Sequence, residues 1–208
     1  MRAIPRGCLV VSCQARADNP LHGPVFMAAM ARAARDGGAG AIRANGADDI
    51  AAIRAAVDLP IVGIAKRFRD DVPVYITPDF ASAEAVVRAG ADIVALDATP
   101  RERGGEGLPG PVRAIRERLG RPVFADVSTF AEGLAAEALG VDYVATTLAG
   151  YTEGTRVERS AGPDLALVAA LAARCRVPVV AEGRFDTPEL AAAALAAGAH
   201  AVVVGTMI

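Results

Sequence analysis

Eight short apolar runs separated by alanine-rich stretches limit what this chain can fold into. The runs are Cys8–Ser12, Ala41–Ala44, Pro60–Ala65, Asp92–Leu96, Pro122–Ala125, Asp142–Thr146, Pro178–Ala181 and Ala201–Val204. Each is continuous in apolarity rather than alternating, the pattern of a strand covered on both faces in a parallel sheet. Between them lie the amphipathic segments Phe26–Arg35, Ile50–Val57, Ser82–Ala89, Val112–Leu119, Glu132–Leu139, Leu165–Arg174 and Leu190–Ala197. Several end in a helix-closing glycine: Gly37-Gly38, Gly90, Gly120, Gly140 and Gly198. Thr77-Pro78 and Thr187-Pro188 read as helix starts, threonine capping and proline in the first turn. Eight strands and seven intervening helices predict an α/β fold, a (β/α)8 TIM barrel forming one domain over residues 1–208 and lacking its last helix. An open doubly wound sheet is the alternative, but it has fewer strands and a stronger nucleotide fingerprint, and no GxGxxG opens a helix here. Arg101–Gly110 and Tyr151–Gly162 read as longer polar loops, not linkers.

At 208 residues the chain is at the low end for such a barrel, with one core. A formal charge of −2 without a basic block predicts neither a nucleic-acid nor a membrane partner. The apolar runs are far short of a spanning helix, and the first residues carry no signal-peptide stretch. Cys8, Cys13 and Cys175 lack metal-ligand spacing and read as buried free thiols in a reducing cytoplasm.

Lys66 is the only lysine; every other residue among the 22 basic ones is arginine. A surviving salt-bridge lysine is the ordinary reading of such a residue. Its position at the end of the third strand favours another, because lysine can lose its proton near neutrality when desolvated and arginine cannot. Barrel chemistry gathers at the carboxyl ends of the strands. There the chain places Gln14, Arg43, Lys66, Asp97, Asp126, Thr147, Glu182 and Gly205-Thr206. Singly, each carboxylate can be a turn cap or an arginine partner. Together, a lysine and a glutamate in one pocket suit proton transfer at carbon and oxygen. A Schiff base on Lys66 is the open alternative. His22 and His200 stand apart, so no transition-metal site is expected. Ala181-Glu182-Gly183-Arg184 and Val204-Gly205-Thr206 end strands seven and eight, where barrels bind phosphate through backbone amides. Gly183, Arg184, Gly205 and Thr206 are the phosphate candidates, although glycines there also serve as plain tight turns.

The strand-end words resemble one family, the N-acetylmannosamine-6-phosphate 2-epimerases of sialic-acid catabolism. They run in order along nearly the whole chain: Ser12-Cys-Gln-Ala15, Ala41-Ile-Arg-Ala-Asn-Gly46, Gly63-Ile-Ala-Lys-Arg67, Val74-Tyr-Ile-Thr-Pro78, Leu96-Asp-Ala-Thr99, Ala125-Asp-Val-Ser-Thr129, Thr146-Thr-Leu-Ala-Gly-Tyr-Thr152 and Ala181-Glu-Gly-Arg-Phe-Asp-Thr-Pro188. The resemblance implies a cytoplasmic homodimer that interconverts N-acetyl-D-mannosamine 6-phosphate and N-acetyl-D-glucosamine 6-phosphate without metal or organic cofactor. It implies Lys66 as the acid/base at C2 and Glu182 as its partner. Arg43 and Asp126 would orient the open-chain sugar, and Gln14 and Thr147 belong to the same substrate site. Three departures stand out. Thr-Leu-Ala-Gly replaces the common Thr-Leu-Ser-Gly, and Phe68-Arg-Asp-Asp replaces a tyrosine-containing form. The sequence ends at Ile208, where relatives continue through an arginine expected to help hold phosphate. Rival readings are a ribulose-phosphate epimerase, which wants a His/Asp metal ring, a thiamine-phosphate synthase, which wants a diphosphate site, and a non-catalytic phosphosugar sensor.

Overall fold

The computed structural model describes residues 2–205 together with 207 and 208. Its strands are β1 (Cys8–Cys13), β2 (Ala41–Asn45), β3 (Ile61–Ile64), β4 (Ile93–Asp97), β5 (Val123–Asp126), β6 (Tyr143–Ala145), β7 (Val179–Glu182) and β8 (Ala201–Val204). All pair in parallel, in chain order, and β8 closes on β1 with Val10 opposite Val203. Each strand lies within one residue of the run that predicted it. Seven helices alternate with them: α1 (Pro24–Asp36), α2 (Ala47–Ala56), α3 (Phe80–Arg88), α4 (Pro109–Leu119), α5 (Phe130–Ala138), α6 (Leu165–Arg174) and α7 (Pro188–Ala196). Among the described residues no helix follows β8, and none is long and apolar enough to cross a membrane.

Side chains alternate across each strand, and this parity positions the site. Val10, Ala41, Val62, Ile64, Ala95, Phe124, Ala145, Val180 and Val203 belong to the cluster that fills the barrel. Their neighbours Val11, Ile42, Val94, Ala125 and Val144 pack outward against the helices. Counting two residues on from an interior position reaches Ser12 in β1 and Gln14 just after it, Arg43 in β2, Lys66 after β3, Asp97 in β4, Asp126 in β5, Thr147 after β6 and Glu182 in β7. Gly63 shows how tight the outer layer is: a Cβ there would lie 2.6 Å from the Ala91 Cβ.

The opposite mouth is closed by the amino-terminal segment. The Ile4 amide donates to the Tyr143 hydroxyl (3.4 Å), and the His200 ring bonds the Ile4 carbonyl through Nε2 (2.9 Å). His200 is therefore a structural residue, with Tyr143 packed beside it.

Thr187 caps α7 as expected, accepting from the Leu190 amide. Thr77 does not cap α3. Asp79 takes that role through the Ser82 amide (2.8 Å), so Pro78 precedes the helix instead of opening it. The Thr77 hydroxyl is occupied elsewhere, accepting from the Ala65 amide (3.1 Å) at the end of β3. The cysteines are free, but only Cys13 is fully buried; Cys8 and Cys175 are half-buried, because their side chains lie at the rim of the packed layers.

Candidate active site

A cavity of about 930 Å³ opens at the carboxyl ends of the strands. Gln14, Arg43, Lys66, Thr147, Glu182, Gly183, Arg184 and Gly205 all line it. Of the residues the sequence singled out for this site, Thr206 lies outside the described residues.

Its polar floor is one hydrogen-bonded group. Arg43, 1 % exposed, donates from Nη1 to Asp126 Oδ1 (3.0 Å) and Glu182 Oε2 (2.9 Å), and from Nη2 to Asp126 Oδ2 (2.7 Å). The guanidinium also lies against the Phe124 ring, 5.3 Å from its centroid. Burial works against the Arg43 charge, but the Asp126 and Glu182 carboxylates outweigh it and hold its pKa above the ordinary value. Asp126 is fully buried beneath this arginine and does not line the cavity. Its carboxylate supports the cavity floor through Arg43 and Thr147.

Thr147 Oγ1 lies 2.6 Å from Asp126 Oδ1 and 3.0 Å from Glu182 Oε2. A hydroxyl has one proton to give, and the shorter contact takes it. Thr147 then remains an acceptor toward Glu182 whenever that carboxyl carries a proton. Burial raises the Glu182 pKa, Arg43 opposes the rise, and the nearby Asp126 charge adds to it. The Glu182 side chain keeps 15 % exposure, on the cavity side.

Lys66 faces the same cavity, and no carboxylate among the described residues comes within ion-pairing distance of it. Burial lowers its pKa below the ordinary 10.5, and the Arg43 charge lowers it further, against the pull of Glu182 and Asp126. A desolvated amine beside a buried carboxyl group is suited to moving protons.

Gln14 donates to Ser12 Oγ (2.7 Å), and its Oε1 has no partner among the described residues. Gly183 turns the chain after β7 with φ 106, a conformation natural to glycine. The Arg184 guanidinium is held by main-chain carbonyls, Ala149 (2.8 Å) and Gly162 (2.5 Å), and packs on the Tyr151 ring. It ties both ends of the β6–α6 loop to the rim, and this loop engagement comes ahead of the charge expected for phosphate. Asp97, grouped with the mouth by its strand-end position, accepts from Thr99 and pairs with Arg101 instead, outside the cavity lining.

Tyr75 and Ile76 line the cavity without having been assigned a role. Tyr75 stacks on Phe68 at 5.0 Å, and Arg67 and Tyr75 bond across a short antiparallel bridge. Their segment lies outside the strand–helix alternation, so only its place in the family word Val74-Tyr-Ile-Thr-Pro78 pointed to them. Among the described residues no group of three His, Cys, Asp or Glu side chains could hold a metal ion.

Known proteins are similar to this chain in sequence and fold. The family model described as "Putative N-acetylmannosamine-6-phosphate epimerase" matches residues 27–208. A protein of Caldanaerobacter subterraneus subsp. tengcongensis, named "Putative N-acetylmannosamine-6-phosphate 2-epimerase", is 48% identical over 202 residues, covering 96% of this chain and 84% of its own. One of the same name from Thermosynechococcus vestitus is 49% identical, with 98% and 88% covered. The solved N-acetylmannosamine-6-phosphate 2-epimerase from Clostridium perfringens superposes with a TM-score of 0.94 at 43% identity, covering 99% of this chain and 89% of that one. A thiamine phosphate pyrophosphorylase from Pyrococcus furiosus shares the fold alone, at 18% identity and a TM-score of 0.64. The strand-end residues, the closed barrel and these relatives agree: the chain belongs to the N-acetylmannosamine-6-phosphate epimerase family.

Proposed function

We propose that this protein interconverts N-acetyl-D-mannosamine 6-phosphate and N-acetyl-D-glucosamine 6-phosphate by removing and returning the C2 proton. The observation that carries the reading is Lys66: the one lysine of the chain, desolvated, without an ion-pair partner among the described residues, in the cavity floored by Arg43 and Glu182. The C2 proton becomes acidic only in the open-chain aldehyde. Glu182, favoured in its protonated form by burial, gives a proton to the ring oxygen as the C1–O5 bond breaks. Its carboxylate takes the O1 proton, leaving Glu182 as it began. Neutral Lys66 then takes the C2 proton, and the C–H electron pair forms the C1=C2 bond while charge moves to O1. Arg43, fixed by two carboxylates, provides a preorganised positive charge, a contribution of roughly 3 kcal/mol where such groups meet an oxyanion. The Lys66 ammonium returns its proton to the opposite face of C2 once the enolate has turned in the cavity, and the C1=O bond re-forms, giving the epimer with Lys66 neutral again. Gln14 and Thr147 hold the sugar, and Asp126 orients it through Arg43. Gly183, Arg184, Gly205 and Thr206 form the phosphate end. No step requires a metal or organic cofactor.

The reading extends to a homodimer in the cytoplasm. Exposed Leu21, Val25 and Phe26 support an association surface, and three free cysteines suit a reducing compartment.

Proton NMR of N-acetylmannosamine 6-phosphate in D₂O tests the reaction. Loss of the C2 proton signal as N-acetylglucosamine 6-phosphate appears is the expected result, abolished in Lys66→Arg. Binding of the phosphosugar without exchange at C2 would reject the epimerase and leave a sensor.

A further inference from the structure

The strand that carries Lys66 lacks a regular neighbour where the lysine leaves it. β3 pairs with β4 only at Val62 and Gly63, so the ladder stops before Ile64. Tyr75–Thr77 enters the gap as a wedge. On the β4 side the Asp97 amide donates to the Ile76 carbonyl (3.0 Å). On the β3 side Lys66 and Ile76 face each other in an antiparallel bridge, with the Arg67 amide on the Tyr75 carbonyl (2.8 Å) and the Thr77 amide on the Ala65 carbonyl (2.9 Å).

Thr77 holds this wedge by two bonds to one residue. Its amide takes the Ala65 carbonyl, and its hydroxyl takes the Ala65 amide (3.1 Å). Both main-chain groups of Ala65, the residue before Lys66, are therefore satisfied by Thr77, while Asn45 Oδ1 accepts from the Lys66 amide (2.8 Å). Thr77 does this with φ 46, a left-handed conformation that a β-branched residue seldom adopts, and with 1 % exposure. Backbone strain of this kind persists where surrounding structure enforces it, and it concentrates at functional sites.

We propose that Thr77 is a positioning residue for Lys66: its hydroxyl, locked by the strained backbone, fixes the β3 exit and so the direction in which the lysine enters the cavity. The proposal rests on the assignment of Lys66 as the acid/base, but part of its test does not. Because Lys66 is the only lysine, protein labelled with ¹³C-lysine gives one Cε signal whose titration reports this side chain directly.

Thr77→Val keeps the shape and removes the acceptor. The expected result is a Lys66 titration moved up toward the ordinary 10.5, as a loosened ammonium regains water. Turnover falls about 100-fold, as for misplacement by about an ångström, with KM changed by less than about threefold. Thr77→Ser, which keeps the hydroxyl, restores both. Thr77→Gly relaxes the backbone and supplies a folded variant should the valine protein not fold. If the hydroxyl positions the lysine, glycine loses turnover and shifts the titration as valine does. If Thr77 only braces the loop, glycine keeps wild-type turnover and titration, and the proposal is overturned. A wild-type protein inactive on the phosphosugar would refute the epimerase reading alone. The Lys66 signal still judges Thr77 in that case: the shift with serine rescue sustains it, and an unmoved signal rejects it.

Discussion

Glu182 is the residue whose protonation the fold most visibly controls. Burial, opposed by Arg43 and aided by Asp126, holds its carboxyl above the ordinary 4.5. The protonated form is the one the folded state prefers. Its stabilising contribution is complete below about pH 4.5 and is lost as pH rises through the raised value. Glutamine mimics the protonated group permanently. Glu182→Gln should therefore gain stability over the wild type as pH rises from about 4.5, levelling off above the raised pKa. Urea midpoints across that range decide it. A variant that instead falls behind with rising pH would mean that the charged Glu182–Arg43 pair outweighs burial. The candidate residues themselves were legible in the sequence, because a lone lysine and strand-end carboxylates are visible as letters. Their division of labour was not: that Asp126 lies beneath Arg43, while Glu182 reaches the cavity, depends on how far each strand protrudes.

At the scale of elements, the strands announced themselves by apolarity, whereas the excursions between them did not. Thr77-Pro78 reads as a cap and a first turn, yet Asp79 caps α3 and Thr77 binds the end of β3. A hydroxyl's local and distant partners cannot be told apart by spacing. Arg184, read for its charge at the end of β7, also bonds the Ala149 and Gly162 carbonyls, partners that spacing does not reveal. Arg184→Met keeps the apolar stem and removes both bonds. We expect faster limited proteolysis within Tyr151–Gly162, with the global unfolding midpoint nearly unchanged, since loops open below the global free energy. Unaltered cleavage would show that the loop is held by its own contacts, such as the Thr152–Thr155 hydroxyl pair.

The molecule as a whole separates its two ends, stability below and chemistry above. Ile4, 3 % exposed, plugs the amino-terminal mouth against Tyr143 and His200. Ile4→Ala should cost about 2–4 kcal/mol, from lost burial and the cavity left behind. Denaturant unfolding measures that loss, and KM for the phosphosugar should stay at its wild-type value. A changed KM would mean that packing strain crosses the barrel. The sequence by itself determined the eight strands, the order of the elements and the strand-end placement of Gln14, Arg43, Lys66, Asp126, Thr147 and Glu182, because continuous apolarity is a local property. Tertiary structure alone decided which of these residues touch one another, that Asp97 stays out of the cavity, and that Tyr75–Thr77 wedges between β3 and β4. Those outcomes depend on strand stagger and on hydrogen bonds between segments distant in the chain, which exist only once the barrel has closed.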